Sequence, residues 1–200
     1  MIHIIDRAIN VAGTHLPHYA FPELVERHPQ GIAKALSLEN EARRLMTADF
    51  SDRQLTDFIQ RVCEWGGYPK TADRVFTGNS FSEIRRRFSN AIAALKLEKP
   101  ACKFALREIR RIRYLGLSFA SKHLRLLRPD VCPVLDSILS EQLGYPLNVA
   151  GYRHFSDDCL KIARWLQQSG VQNPVDREDG RWFAADVEMA LYVHVKEQLV

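Results

Sequence analysis

Apolar residues recur every three to four positions along most of the chain, which is the spacing of an amphipathic helix rather than of a half-buried strand. Ser51 to Trp65 opens with Ser51 and Gln54 in a capping-box relation, places Leu55, Phe58, Ile59 and Val62 on one face, and stops at Gly66-Gly67. Ser80 to Leu97 repeats this grammar with Ser80 and Glu83, then Ile84, Phe88, Ile92 and Leu95, then Pro100. Further helices are expected over about 101–113, with Leu106, Ile109 and Ile112 inward, and over about 119–127, up to Pro129. Another should start from Asp136 as N-cap and end before Gly144, one from Ser156, and a last one over about 183–199. Only Ile2 to Ile5 and Tyr145 to Val149 read as short extended pieces. The expected fold is all-α: an N-terminal helical segment over 1–50 and a domain over 51–200 built around a helical hairpin at about 101–127.

Composition narrows the class of protein. At 200 residues, 46% hydrophobic and 26% charged, the chain is neither disordered nor a disulfide-stapled miniature. Charges interrupt every stretch long enough to span a bilayer, and the first residues lack a signal-peptide pattern, so a cytoplasmic, nucleoid-associated location is expected. Cys63, Cys102, Cys132 and Cys159 are widely spaced, with no Cys-x-x-Cys pair. That excludes an iron–sulfur cluster or a zinc site and implies reduced, mostly buried thiols. His15, His18 and His28 read as loop histidines, and no metal is expected.

Charge becomes informative only when resolved by position. The chain carries +4 overall, yet Lys103 to Arg128 holds eight cations against one acid, Glu108, and so carries +7. Arg85, Arg86 and Arg87 form a second basic cluster on the preceding helix. Basicity concentrated on a helix, a turn and a helix suits a phosphate-binding surface, although a solvated basic face has the same pattern. In the turn, Leu115-Gly116-Leu117-Ser118, a glycine can take a positive φ, and the free N–H groups of the next helix form an anion site. The candidate phosphate ligands are Gly116, Ser118, Ser121, Arg113, Arg125 and Arg128.

Lys122 lies early in that next helix, and Asp136 follows fourteen residues later, after Cys132-Pro133-Val134-Leu135. A lysine amine can attack an acetal carbon, and a carboxylate held at an N-cap can stabilise a cationic sugar as the leaving group departs. Alone, each residue has an ordinary explanation, as one more phosphate cation and as a structural cap. Trp65, at a helix end, is either a platform for a base or a core tryptophan.

Together these features resemble the helix-hairpin-helix DNA glycosylase superfamily. Gly-Leu-Ser-Phe-Ala-Ser-Lys-His-Leu-Arg-Leu-Leu-Arg-Pro-Asp, followed by Pro-Val-Leu-Asp-Ser, is similar to a bacterial group described as 8-oxoguanine DNA glycosylase-like. The likeness is strongest over about 101–145, and residues 1–50 do not contribute to it. In the usual hairpin a second glycine stands where this chain has Ser118. The resemblance implies two helical lobes with an active site between them, Lys122 as Schiff-base nucleophile and Asp136 as the catalytic carboxylate. It further implies base contacts from Leu126, four residues after the lysine, and from Trp182 and Asp186 at the start of the last helix. The implied partner is double-stranded DNA containing a damaged base, bound by a monomer. No organic cofactor is implied, although hairpin carbonyls could hold a monovalent cation. A DNA-binding adaptor without chemistry, or a glycosylase for another modified base, would share most of these features.

Overall fold

The segment over 1–50, expected to be helical apart from an extended piece at Ile2–Ile5, contributes three strands before its two helices among the described residues. In the computed structural model, which describes residues 3–5, 7–11, 13–47 and 50–199, β1 (His3–Ile5), β2 (Ala8–Val11) and β3 (Thr14–Pro17) form an antiparallel meander in the order β1-β2-β3. Ile9 pairs with Leu16, and both are buried on the face turned to the helices. Strands of three or four residues are too short to display a period of two, so their alternation was not visible in the sequence. Of the expected Ile2–Ile5 extended piece, His3–Ile5 is confirmed and Ile2 lies outside the described residues. Tyr145 to Val149 is not a strand.

Ten α-helices follow among the described residues: α1 (Ala20–Glu26), α2 (Pro29–Thr47), α3 (Asp52–Trp65), α4 (Lys70–Gly78), α5 (Phe81–Leu95), α6 (Cys102–Arg110), α7 (Leu117–Leu127), α8 (Ser137–Leu143), α9 (Val149–Gln168) and α10 (Ala184–Glu197). The protein is mostly helical, with a small sheet. Caps explain several boundaries. Ser51 and Gln54 satisfy each other's backbone N–H groups, the expected capping box. Ser80 accepts the Glu83 N–H, while the Glu83 carboxylate turns outward to Arg86 and Arg87. Asp136 caps α8, and Gly144 ends it in the left-handed region at φ 72°. The expected cap at Ser156 is corrected. Asn148 starts this helix two turns earlier by accepting the Ala150 and Gly151 N–H groups, and Ser156 is buried within α9.

One continuous apolar core joins the segment before residue 50 to the rest. Phe21, Leu24 and Val25 of α1 pack toward α10, and α2 lies across α3 and α7. Behind these contacts lies a buried chain of charges. Arg125 of α7 donates to Glu39 of α2 at 2.7 Å, Glu39 also pairs with Arg177, and Arg177 pairs with Asp186 of α10 at 2.6 Å. Each of these ions is nearly or fully removed from water, so loss of one partner would strand the next. The start of α10 is held from another side, where Ala184 and Ala185 N–H groups donate to the carbonyls of Asp130 and Pro129.

Candidate active site

Four chain segments bring their polar residues to one cavity of about 310 Å³. Trp65, Gly66 and Tyr68 come from the end of α3, Ser118 and Lys122 from α7, Val134, Asp136, Ser137 and Ile138 from the approach to α8 and its start, and Glu188, Met189 and Tyr192 from α10. His28 and Gly31 add a wall from the segment before residue 50, which the sequence had left without a role. The volume lies in the range of small-ligand sites, roughly 300–1,000 Å³.

Lys122 and Asp136 face each other in this cavity, with Nζ 3.7 Å from Oδ2. Both side chains are largely but not wholly shielded, so they remain reachable from the opening. Lys122 donates to Ser118 Oγ at 3.1 Å, and its ammonium stands 5.8 Å from the centre of the Phe119 ring. Asp136 spends Oδ1 on the Leu139 N–H at 3.1 Å, leaving Oδ2 directed at the lysine. Ser121 sets the relation between the two elements. Its buried hydroxyl donates to the Ser118 carbonyl at 2.9 Å and accepts the Leu135 N–H at 3.1 Å, 3.3 Å from the Leu135 carbonyl. Gly66 allows α3 to come this close to α7, since a Cβ there would lie 2.9 Å from the Phe119 ring and 3.2 Å from Lys122 Cδ.

Glu188 is the residue whose place in the cavity the sequence reading missed. It lines the cavity from α10 within reach of the charges of both members of the pair, and burial pushes its carboxyl up to about 7. The Asp136 charge acts in the same direction, while Arg125, Lys122 and a hydrogen bond to the Val134 backbone oppose it. Tyr192, one turn on, is also shifted upward by burial and by the charges of Asp136 and Glu188. The available signal was an acid set in an apolar run: past Asp186, which binds the helix start, Glu188 stands between Val187 and Met189-Ala190-Leu191.

The other candidate residues divide sharply. Trp65 lines the cavity, and Arg125 braces its ring from 5.5 Å. Arg125 is therefore a buried partner of Glu39 and Trp65, not a free phosphate cation. Arg128 is also committed, to both oxygens of Asp130 and to the Leu95 carbonyl. Ser121 is an internal fastener and Ser118 a partner of Lys122. Leu126 is core. Trp182 packs edge-on to Phe21 and donates to the Val171 carbonyl, while Asp186 binds Arg177, Asn173 and its own helix start. None of these three is among the residues lining the cavity. The Arg85–Arg87 cluster is likewise paired, with Asp52, Glu83 and Glu108.

The hairpin presents the remaining basic surface. Lys103, Arg107, Arg110, Arg111 and Arg113 are exposed on α6 and its turn, above Leu106, Ile109 and Ile112, which are buried. Glu108 is buried beneath them; despite burial, hydrogen bonds from Asn90 and Arg87 and the charge of Arg111 hold its carboxyl below the usual range. The turn itself departs from expectation. Gly116 is exposed at the start of α7 with an ordinary φ of −60°, and Tyr114 takes the left-handed conformation at φ 73°. Asn79 makes this possible by clasping both the N–H and the carbonyl of Arg113, while the Tyr114 ring fills the space where Gly78 has no side chain.

Among the described residues, no group of three or more His, Cys, Asp or Glu side chains could hold a metal ion, and no helix is long and apolar enough to cross a membrane. In comparison with known proteins, the chain matches no family model, no curated protein and no solved structure.

Proposed function

We propose that this chain is a DNA glycosylase of the helix-hairpin-helix type, with associated lyase activity, that removes an oxidised purine, 8-oxoguanine in the first instance, from duplex DNA. The observation that carries the reading is the Lys122–Asp136 pair, 3.7 Å apart on the wall of a cavity of about 310 Å³ that Trp65, Tyr68 and Tyr192 also line. Aromatic walls suit a base taken out of the stack, and the exposed cations of α6 suit the flanking phosphates. The buried Glu188 carboxyl gives the cavity a hydrogen-bonding group for the polar edge of a purine.

In this reading the Lys122 amine, once deprotonated, attacks C1′ of the extruded nucleotide, and the bond from C1′ to the base breaks with its electron pair leaving on the base. Asp136 offsets the positive charge that develops on the sugar. The C1′–O4′ bond of the resulting N,O-acetal then breaks, the ring oxygen taking up a proton as the Lys122 nitrogen gives one up, and an imine with Lys122 forms. Loss of a proton from C2′ then expels the 3′ phosphate and nicks the strand.

Borohydride reduction during incubation with an 8-oxoguanine duplex tests this directly. Wild-type protein should become covalently attached to the DNA, and Lys122→Gln should not. Duplex binding without trapping would favour the non-catalytic adaptor reading, and trapping with alkylated or deaminated bases in preference to 8-oxoguanine would reassign the substrate. A protein that neither binds nor is trapped would overturn the proposal.

A further inference from the structure

A second cavity, of about 440 Å³, opens between the start of α6, the loop joining α7 to α8, and α9, and it shares no lining residue with the Lys122 site. Its volume falls within the range of small-ligand sites, roughly 300–1,000 Å³. The first turn of α6 from Ala101 forms one wall, Val131 of the loop a second, and Tyr152, Ser156 and Leu160, one turn apart along α9, a third. Lys99, Lys103 and Arg153 stand exposed at the mouth.

Two independent features of these walls call for a ligand. The first is electrostatic. No side chain caps α6, the Phe104 and Ala105 N–H groups both return to the Ala101 carbonyl, and among the described residues the N–H groups of Cys102 and Lys103 reach no carbonyl. A helix start in that condition attracts an anion. Lys99 and Lys103, neither paired with a carboxylate among the described residues, add two charges beside it. Of the acids at the mouth, Asp157 pairs with Arg153 at 3.7 Å, which leaves Glu98 against two lysines. The second feature is a pair of hydroxyls on α9. Tyr152 and Ser156 are 1% and 7% exposed, and neither hydroxyl has a well-formed hydrogen bond. Buried hydroxyls are normally partnered, so two without partners on the wall of one cavity mark groups that a bound molecule would satisfy.

We infer that this cavity binds a small organic anion: a carboxylate, sulfonate or phosphate on an apolar body of one or two rings that also carries a hydrogen-bonding group. The anion lies at the start of α6 beside Lys99 and Lys103, the body covers Pro100, Val131 and Leu160, and the hydroxyls of Tyr152 and Ser156 meet the hydrogen-bonding group. Cys102 is half-buried in the same wall, whereas Cys63, Cys132 and Cys159 are buried, so it is the thiol that a bound molecule covers. The site uses none of the residues around Lys122 and stands or falls apart from the glycosylase reading.

Fluorescence titration of the whole protein with 8-anilinonaphthalene-1-sulfonate decides it, beside N-phenyl-1-naphthylamine, which is the same body without the sulfonate. The sulfonate should bind one to one and about ten-fold more tightly than the neutral amine. Reversing both lysines in Lys99→Glu/Lys103→Glu should remove that difference, whereas Tyr152→Phe should weaken both probes several-fold, because both carry the amine. Lys122→Gln should leave both affinities unchanged, which separates this cavity from the one at Lys122. In wild type the bound sulfonate should slow modification of Cys102 by N-ethylmaleimide, read by peptide mass spectrometry, and protein modified there should no longer bind it. That arm needs no variant to fold. Equal affinity for the two probes, loss of sulfonate binding in Lys122→Gln, unaltered binding in the lysine double variant or in Tyr152→Phe, or a Cys102 that reacts equally with and without the probe would each overturn the assignment.

Discussion

Ser121 and Leu135 are joined through the serine hydroxyl, which accepts the Leu135 N–H at 3.1 Å, and each immediately precedes one member of the Lys122–Asp136 pair. The bond therefore sets the spacing of two groups that come from different helices. Ser121→Ala should leave the Leu135 N–H buried without its acceptor and cost about 1–3 kcal/mol in a denaturant titration. It should also slow borohydride trapping at saturating DNA. A variant with reduced stability but an unchanged trapping rate would show that the pair keeps its geometry without this bond.

Glu188 links the cavity to pH. Its carboxyl is raised from an ordinary 4.5 to about 7, so the fold favours the protonated form. For such a group the stabilising contribution is complete below the unfolded value and is lost as pH rises through the folded one. Glu188→Gln keeps the neutral shape and removes the titration. The stability of Glu188→Gln relative to wild type should climb between about pH 4.5 and 7 and then level off, by at most on the order of 3 kcal/mol. Chemical denaturation across that range checks it, and a pH-independent difference would remove Glu188 as the titrating group.

Gly66→Ala probes how closely α3 and α7 approach. The new methyl group would meet the Phe119 ring at 2.9 Å and Lys122 Cδ at 3.2 Å. Overpacking of this kind costs about 1–3 kcal/mol, and here the displaced side chain is the proposed nucleophile. Trapping should fall several-fold more than the stability loss explains, and Gly67, which needs its positive φ of 82°, should be a purely structural control in Gly67→Ala.

The legible and the hidden parts of this protein differ in kind. Ser51, Gln54 and Asp136 announce themselves because a cap is a local device, readable within four residues. Periodicity also showed that Leu106 and Ile109 turn inward, whereas Leu126, expected at the base, is core. It could not show what a polar residue meets once inside. Arg125 lies in a basic run yet ends beneath Trp65 and against Glu39, eighty-six residues away in sequence. Ser121 and Asp186 were assigned to ligands for the same reason, since a partner from a distant element can claim a hydroxyl or carboxylate without any mark in the local sequence. The cavity wall from α10 was hidden for the opposite reason: Glu188 and Tyr192 interrupt an apolar helix, and only their common face gives them a purpose.

For the surface of α6, the expectation concerns salt. The logarithm of duplex affinity should fall linearly with the logarithm of salt concentration, and Arg107→Ala or Arg110→Ala should each reduce that slope by about 1 if the cation meets a phosphate. Removing Arg125 instead should destabilise the fold and leave the slope where it was, because its charge is buried against Glu39. Binding measured over a range of potassium chloride, with unfolding measured in parallel, separates the two.

The cavity takes its walls from both flanks of the chain: His28 from before α2, and Glu188, Met189 and Tyr192 from α10, whose own register is held by Arg177 and the carbonyls of Pro129 and Asp130. During synthesis, Lys122 and Asp136 leave the ribosome long before these last residues do. The pair can form early, but the enclosure around it is delayed until α10 docks, so an unfinished chain carries Lys122 and Asp136 on an open surface and only the finished one holds them in a pocket.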